Sequence, residues 1–293
     1  MAINFAFSQT GNSRFAQVIG SSQPKFLVGK EVVYQGNEGL TNLSTAAGMF
    51  YRAEDYKNAF KFWAYFIAPT AQSESRGSFV CLNTYDRAKF TFSFMQFAAH
   101  VPNGDFVNYF KRLLALGNAR EYFPKLVLLN TRIHYRNTNG TLTQLENDAS
   151  TQSLMDYFNP TLGAVENQEL ICAARMVHWA MNDAAHRKIQ VESAISLFKE
   201  NMKDYAASYN LDGFPDKVCL TVCDIRHQGR ASSRHIINAL NTNGNHDRAF
   251  NNLLQLGIPA YEGRIKTLRA EIKKLQDAGI FGKKYKQSTN DFV

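Results

Sequence analysis

Glu74 and Asp86 are the residues of this sequence whose types and spacing best suit acid–base chemistry. Glu74 follows a strongly aromatic segment and precedes Gly77 and Phe79, which predicts that it lies at the end of an element in apolar surroundings. Cleavage of a glycosidic bond requires one carboxyl group as general acid and a second carboxylate across the bond, and apolar packing raises the pKa of the first. Asp86, in the turn of a predicted hairpin, is the candidate for the second.

Four side chains close to this pair in sequence are candidates for substrate contact. Tyr85 and Thr91 could position water or sugar hydroxyls, and Asn83 and Gln96 offer amide groups to hydroxyl or N-acetyl substituents. A glutamate beside Ser and Arg is more often a solvated loop residue, and an aspartate in a turn more often caps its own backbone. These residue types alone therefore leave a non-catalytic interpretation open.

Two short motifs in this region resemble a known group of enzymes. Glu74-Ser75, followed by Ser93-Phe94-Met95-Gln96, resembles the Glu-Ser and Gly-Leu-Met-Gln pair of goose-type lysozymes and soluble lytic transglycosylases in the lysozyme-like superfamily. The hairpin from Tyr85 to Phe92 is similar in placement to the one that carries the second carboxylate in chitosanases and phage lysozymes. Val222 to Ala231 looks like the helix and turn that close the far side of the cleft in phage and effector muramidases. Ser93 and Phe94 replace the Gly and Leu of the pattern, which bears on the transglycosylase subtype more than on the superfamily.

The resemblance implies an α+β, mainly helical fold of two lobes with a small β-hairpin element at the cleft. Residues 1–40 are then an N-terminal arm and residues 41–293 a single catalytic domain. Glu74 would be the general acid, Asp86 its partner and Asp224 a substrate-binding residue. The implied activity is glycoside hydrolysis of muramidase type or lytic transglycosylation, and neither requires a cofactor or a metal.

The surrounding sequence predicts the elements that position these residues. Residues 26 to 34 predict a strand, and a helix is expected from Thr41 through Phe50. Residues 54–67 predict a second helix, although the alternation of Phe60, Phe62 and Ala64 also admits a strand, and Pro69 closes the segment in either case. A hairpin is predicted over 79–92, a helix over 94–100, a helix that Asp105 caps over 106–116, a strand over 126–129 and a hairpin turning at Asn139-Gly140. Six more helices are predicted over 168–181, 190–205, 216–225, 232–240, 247–256 and 261–276.

Two charged stretches and four cysteines have alternative interpretations. The first stretch could line a cleft or bind phosphate, although such a pattern more commonly marks a solvated helix face. Its residues are Asp224, Arg226, His227, Arg230, Arg234 and His235. The final helix, with Arg264 among its basic residues, predicts an amphipathic surface helix. The irregular spacing of the cysteines predicts buried thiols and not a metal site: Cys81, Cys172, Cys219 and Cys223.

Composition and charge narrow the choice of partners. The 293 residues carry a net charge of +8 without a lysine or arginine block, which favours a polyanionic substrate and does not predict nucleic-acid binding. Peptidoglycan carries peptide carboxylates, whereas chitosan is a polycation, so peptidoglycan is the expected polysaccharide. The alternatives are a chitosanase-like or chitinase-like hydrolase, a non-catalytic structural or interaction protein with a lysozyme-like domain, and a nucleic-acid binder that uses the basic C-terminal third.

The sequence also suggests where the protein acts. No apolar run is long enough for a membrane-spanning helix, and the N-terminus lacks the basic and apolar parts of a signal peptide. We therefore expect synthesis in the cytoplasm and action on the cell wall after release through a pore or delivery by a secretion apparatus. An immunity or delivery protein is a further expected partner.

Overall fold

The chain forms two units, each drawn from two separate segments. The computed structural model describes residues 2–42 and 49–293. Unit 1 comprises Met1–Phe50 and Ser78–Ser193, and unit 2 comprises Tyr51–Gly77 and Ala194–Val293. The described residues form an α+β structure that is 47% helical, so the expected mainly helical class is confirmed. The helix predicted from Thr41 lies largely at positions 43–48, outside the described residues.

The helices and strands account for most of the described chain. The helices are α1 (Ala53–Phe60), α2 (Phe62–Ser75), α3 (Asp105–Leu114), α4 (Ala119–Tyr122), α5 (Gln152–Phe158), α6 (Asn167–Asn182), α7 (Ala184–Tyr209), α8 (Asp216–Gln228), α9 (Ser233–Leu240), α10 (His246–Gln255) and α11 (Glu262–Asp277). The strands are β1 (Phe5–Thr10), β2 (Ser13–Val18), β3 (Phe26–Tyr34), β4 (Asn37–Thr41), β5 (Leu82–Asn83), β6 (Thr91–Phe92), β7 (Phe97–Ala98), β8 (Leu126–Leu129), β9 (Arg132–Arg136), β10 (Leu142–Gln144), β11 (Tyr285–Lys286) and β12 (Asp291–Phe292).

A seven-stranded antiparallel sheet in unit 1 takes strands β1 to β7 in chain order. The segment predicted as an N-terminal arm therefore supplies four of its strands. The hairpin predicted over 79–92 is confirmed, since Asn83 pairs with Thr91 across β5 and β6. The helix predicted over 94–100 is wrong, because Phe97 pairs with Phe92 across β6 and β7 and both rings are buried.

The second half of unit 1 packs helices and a small sheet around an aromatic core. Strands β8, β9 and β10 form the sheet, and the predicted hairpin turn is confirmed with Gly140 at φ +85°. The Phe158 ring centroid lies 4.4 Å from that of Phe90, 5.3 Å from that of Phe106 and 5.0 Å from that of Phe110. Offset and tilted rings at these distances stabilise the core beyond the area they bury.

Unit 2 is organised around α2. The predicted helix over 54–67 is divided at Lys61, which has φ +51°, and Pro69 lies inside α2 instead of ending it. A proline removes one helical hydrogen bond, but burial of Trp63 and Phe66 on the same helix offsets that cost. The ring centroids of these two residues lie 5.4 and 4.7 Å from that of Phe292 on β12.

The six helices predicted between 168 and 276 are all present, with ends that differ by a few residues, as α6 to α11. None of the helices in the described ranges is long and apolar enough to cross a bilayer. All four cysteines are buried, as predicted.

Candidate functional site

Glu74 lies in the last turn of α2, and its carboxylate is bound by two basic side chains of unit 2. Its Oε1 lies 2.8 Å from Nη1 of Arg264 on α11 and 3.4 Å from Nε2 of His227 on α8. The Glu74 side chain is 13% exposed. The expectation of apolar surroundings is therefore wrong, because α8 and α11 both direct a basic group at this helix end.

The apolar stripe of α11 explains how Arg264 reaches α2. Ile265, Leu268 and Ile272 are buried, and Arg264 lies one turn before Leu268 on the same side of the helix. Packing of this stripe carries the Arg264 side chain, only 9% exposed, to the end of α2. The pattern of α11 predicts a surface helix, but Arg264 is largely buried; its place beside the apolar stripe is the sequence signal for this.

A fully buried aspartate holds Arg264 in place. Asp224 Oδ1 accepts a hydrogen bond of 2.7 Å from Arg264 Nη2, and Asp224 Oδ2 accepts one from Arg230 Nη1. Burial disfavours the charge of Asp224, but Arg264 and Arg230 outweigh it and hold its pKa below the usual value. Likewise, Asp224 and Glu74 raise the pKa of Arg264 against the opposing effect of burial. Asp224 was predicted to bind substrate; because it is buried, it supports the arginines instead.

Arg230 links this network to the chain after α10. Its Nε donates to the carbonyl oxygen of Leu256 at 3.2 Å, and its side chain is fully buried. Together the network contains two carboxylates, Glu74 and Asp224, and two guanidinium groups. The opposite charges compensate one another, while Arg230 Nη2 and Arg264 Nε have no hydrogen-bond partner among the described residues.

The remaining predicted site residues lie together in unit 1, around the hairpin of β5 and β6. Asp86 accepts hydrogen bonds from the Asn83 side chain at 3.1 Å and from the backbone N–H of Ala88 at 2.8 Å. Asn83 Oδ1 accepts from the backbone N–H of Tyr85 at 3.1 Å. Asp86 therefore caps its own turn, as aspartates in turns commonly do.

The other three candidates of this group differ in accessibility. Thr91 is 5% exposed, opposite Asn83 in the sheet. Gln96 donates from Nε2 to the carbonyl oxygens of Ser93 at 2.9 Å and Cys81 at 3.4 Å. Tyr85 is half-buried, with a pKa that burial raises. Of the five, Tyr85, Asn83, Asp86 and Gln96 keep part of their surface accessible, whereas Thr91 does not.

The comparisons with known proteins give no family. No protein-family model, curated protein or solved structure matches the chain. Within residues 2–42 and 49–293, no three His, Cys, Asp or Glu side chains are grouped as metal ligands. The chemistry of the candidate site is therefore argued from Glu74 and the groups around it.

Proposed function

We propose that the protein is a glycoside hydrolase that cleaves the glycan strands of peptidoglycan, with Glu74 as general acid, in a lysozyme-like fold. The observation that carries the proposal is the Glu74 carboxylate, partly exposed and fixed by Arg264, which buried Asp224 fixes in turn. A reacting group positioned by a supporting shell of this kind is typical of catalytic sites.

The position of Glu74 in α2 argues for a role beyond helix stability. The C-terminal end of a helix carries a partial negative charge, so an acidic residue in the last turn is unfavourable there. The chain nevertheless places Glu74 one residue before the end of α2 and supplies Arg264 to compensate, with His227 in contact with the same oxygen. Side chains of α8 and α11 thus hold a carboxylate on α2 that does not stabilise α2 itself.

Arg264 suits one half of a proton-transfer cycle. A general acid becomes a carboxylate when it donates its proton to the leaving oxygen, and an adjacent guanidinium stabilises that charge. His227 Nε2, at 3.4 Å from Glu74 Oε1, is a second polar group beside the carboxylate. The net charge of +8 favours an acidic polymer such as peptidoglycan over cationic chitosan. The protein would then act on the wall after release or delivery by another apparatus.

Digestion of purified peptidoglycan sacculi tests the proposal. Wild type should release muropeptides and Glu74→Gln should release at least about a hundredfold less, since loss of a general acid typically costs this much. Glu200→Gln, an exposed glutamate on α7, is the matched control and should retain full activity. Mass spectrometry of the products identifies the reaction: hydrolysis leaves reducing ends, whereas transglycosylation leaves anhydro ends. Equal release by wild type and Glu74→Gln would overturn the assignment.

The same ion pair favours a second candidate, a structural or interaction protein. In that case Glu74 serves only to balance the charge of Arg264. Neither wild type nor Glu74→Gln would then digest sacculi, or chitin and chitosan oligomers, while Glu74→Gln would still lower the free energy of unfolding. The two candidates therefore differ in activity and not in stability.

A further inference from the structure

Unit 1 contains a cavity of about 530 Å³ lined by residues of its small sheet and by helices α5 and α6. This volume falls in the range of small-molecule sites. None of its lining residues belongs to the network of Glu74 or to the predicted substrate-binding residues. It is therefore a site to which the proposed function assigns no role.

Arg175 on α6 gives the cavity an uncompensated positive charge. Its guanidinium lies 5.7 Å from the centroid of the Phe123 ring, a cation–π contact that restrains its position. Its Nε is buried and has no hydrogen-bond partner among the residues that the structure describes. Within the same residues, Arg175 forms no ion pair with a carboxylate. A restrained guanidinium without a carboxylate partner suits a carboxylate that binds through two oxygens.

Other charges of the cavity do not cancel that of Arg175. Lys125 is exposed, and its Nζ donates to the Tyr135 hydroxyl at 3.1 Å. The one acidic lining residue, Asp156, is already paired with Lys89 at 2.5 Å. The cavity therefore keeps a positive balance and favours an anionic ligand.

The walls combine ring faces with hydrogen-bonding edges. Tyr135 and Tyr157 lie with ring centroids 5.9 Å apart, and Ile171 adds an apolar surface. Asn137 and Gln168 also line the cavity. Their amide N–H groups donate within the protein, to Thr141 and Thr143 and to the Tyr157 carbonyl oxygen, so their amide oxygens are the groups left to accept from sugar hydroxyls. A sugar ring presents C–H groups on its faces and hydroxyls at its rim, which matches aromatic faces surrounded by amides.

We infer that this cavity binds an acidic monosaccharide, with its carboxylate on Arg175 and its ring against Tyr135 and Tyr157. Arg175 selects the charge, and Lys125 at the rim adds attraction during approach. The inference does not depend on Glu74 as general acid, because binding is measured without turnover.

Isothermal titration calorimetry with two related sugars tests the inference. N-acetylmuramic acid carries a lactyl carboxylate that N-acetylglucosamine lacks, so the pair isolates the charge. Wild type should bind the acidic sugar at least about tenfold more tightly, the usual effect of one charge-assisted hydrogen bond. Glucuronic acid and glucose form a second pair, which tells whether the preference extends beyond wall sugars; a preference for the acid in either pair supports the site.

Variants then assign the binding to the cavity. Arg175→Gln should abolish the preference for the acidic sugar, and Lys125→Ala, an exposed change that leaves the core intact, should weaken it severalfold. Arg120→Gln, on the exposed side of α4, is the matched control and should bind as wild type does. Titration of Glu74→Gln should also match wild type, which separates this inference from the proposed hydrolysis. Equal affinity for acidic and neutral sugars, no binding of any of the four, or unchanged binding in a folded Arg175→Gln would overturn it.

Discussion

Glu169 on α6 is a fully buried carboxyl group whose environment differs from that of Glu74. Thr84 donates a hydrogen bond to its Oε1, while its Oε2 has no partner among the described residues. Burial raises its pKa to about 7, against the opposing effect of the hydrogen bond from Thr84. Glu74 has a guanidinium beside it, whereas no cation among residues 2–42 and 49–293 pairs with Glu169, so burial dominates its pKa.

This raised pKa makes the stability of the protein depend on pH. Folded Glu169 holds a proton between its unfolded pKa of about 4.5 and its folded pKa of about 7, so stability is full below the first value and is lost as pH rises through the second. Glu169→Gln stays neutral throughout. We expect it to match wild type near pH 4.5 and to exceed it at pH 8 by up to about 3 kcal/mol.

Urea denaturation at a series of pH values from 4.5 to 8 measures the difference. Glu121→Gln, an exposed residue of the same unit, serves as the control and should follow the wild-type curve. If Glu169→Gln and wild type lose stability in parallel as pH rises, Glu169 is not the group responsible.

At the scale of elements, the turn between α10 and α11 supports the arginine network. Gly257 has φ +96°, and a Cβ at this position would lie 3.0 Å from Arg230 Cδ and 3.1 Å from a ring carbon of Tyr261. Arg230 is bound to Asp224, so a displacement there is transmitted to Arg264 and Glu74. The turn therefore requires glycine both for its backbone angle and for space.

We expect Gly257→Ala to lower the free energy of unfolding by more than about 1 kcal/mol and to reduce any activity of the Glu74 site. Gly263→Ala is the matched control, since Gly263 lies in α11 with nothing within 4 Å of an added Cβ. It should be neutral or stabilise by up to about 1 kcal/mol. Thermal unfolding of the two variants measures both effects, and equal shifts would show that the turn tolerates a side chain.

At the scale of the whole molecule, unit 2 needs its earlier segment. Trp63 on α2 donates from Nε1 to Asp291 at 2.9 Å, and Phe62 packs on Phe281 and Phe292 with centroids 5.6 and 5.0 Å apart. A fragment of residues 194–293 loses these contacts. We expect it to lack a cooperative thermal transition in circular dichroism.

A chain in which residues 51–77 are joined to residues 194–293 by a long flexible linker is the control. It restores α1 and α2 to the fragment and should recover both helical signal and a cooperative transition. A fragment 194–293 that melts as sharply as this control would show that α2 is dispensable for the unit.

Local patterns in the sequence predicted a large part of this fold. The helical periodicity from 168 to 276 and the turn at Asn139-Gly140 are short-range signals, and the structure contains both. The helix end predicted at Pro69 was wrong, because packing against distant aromatic residues, and not local preference, decides whether α2 continues. The hairpin of β5 and β6 was predicted, but the seven-stranded sheet was missed, because the short strand β7 and the pairing of β4 with β5 depend on tertiary partners.

The candidate site likewise combines residues that local sequence patterns indicate with contacts that only tertiary packing creates. Glu74 and the charged stretch around Asp224 were visible as residue types, but their contact passes through Arg264, which is distant in sequence. No spacing rule relates such positions, because their proximity is a result of tertiary packing. The cavity around Arg175 was also not predicted, since its lining comes from separate strands and helices.

The pairing of Glu74 with Arg264 also sets when the site can form during synthesis. At typical elongation rates of about 5–20 residues per second, the ribosome needs roughly 10–40 seconds to proceed from position 74 to position 264. Throughout that interval the Glu74 carboxylate lacks its guanidinium, and α2 lacks Phe292. The site is thus completed only at a late stage of translation, and a nascent chain stalled before α11 carries Glu74 without the contacts that position it.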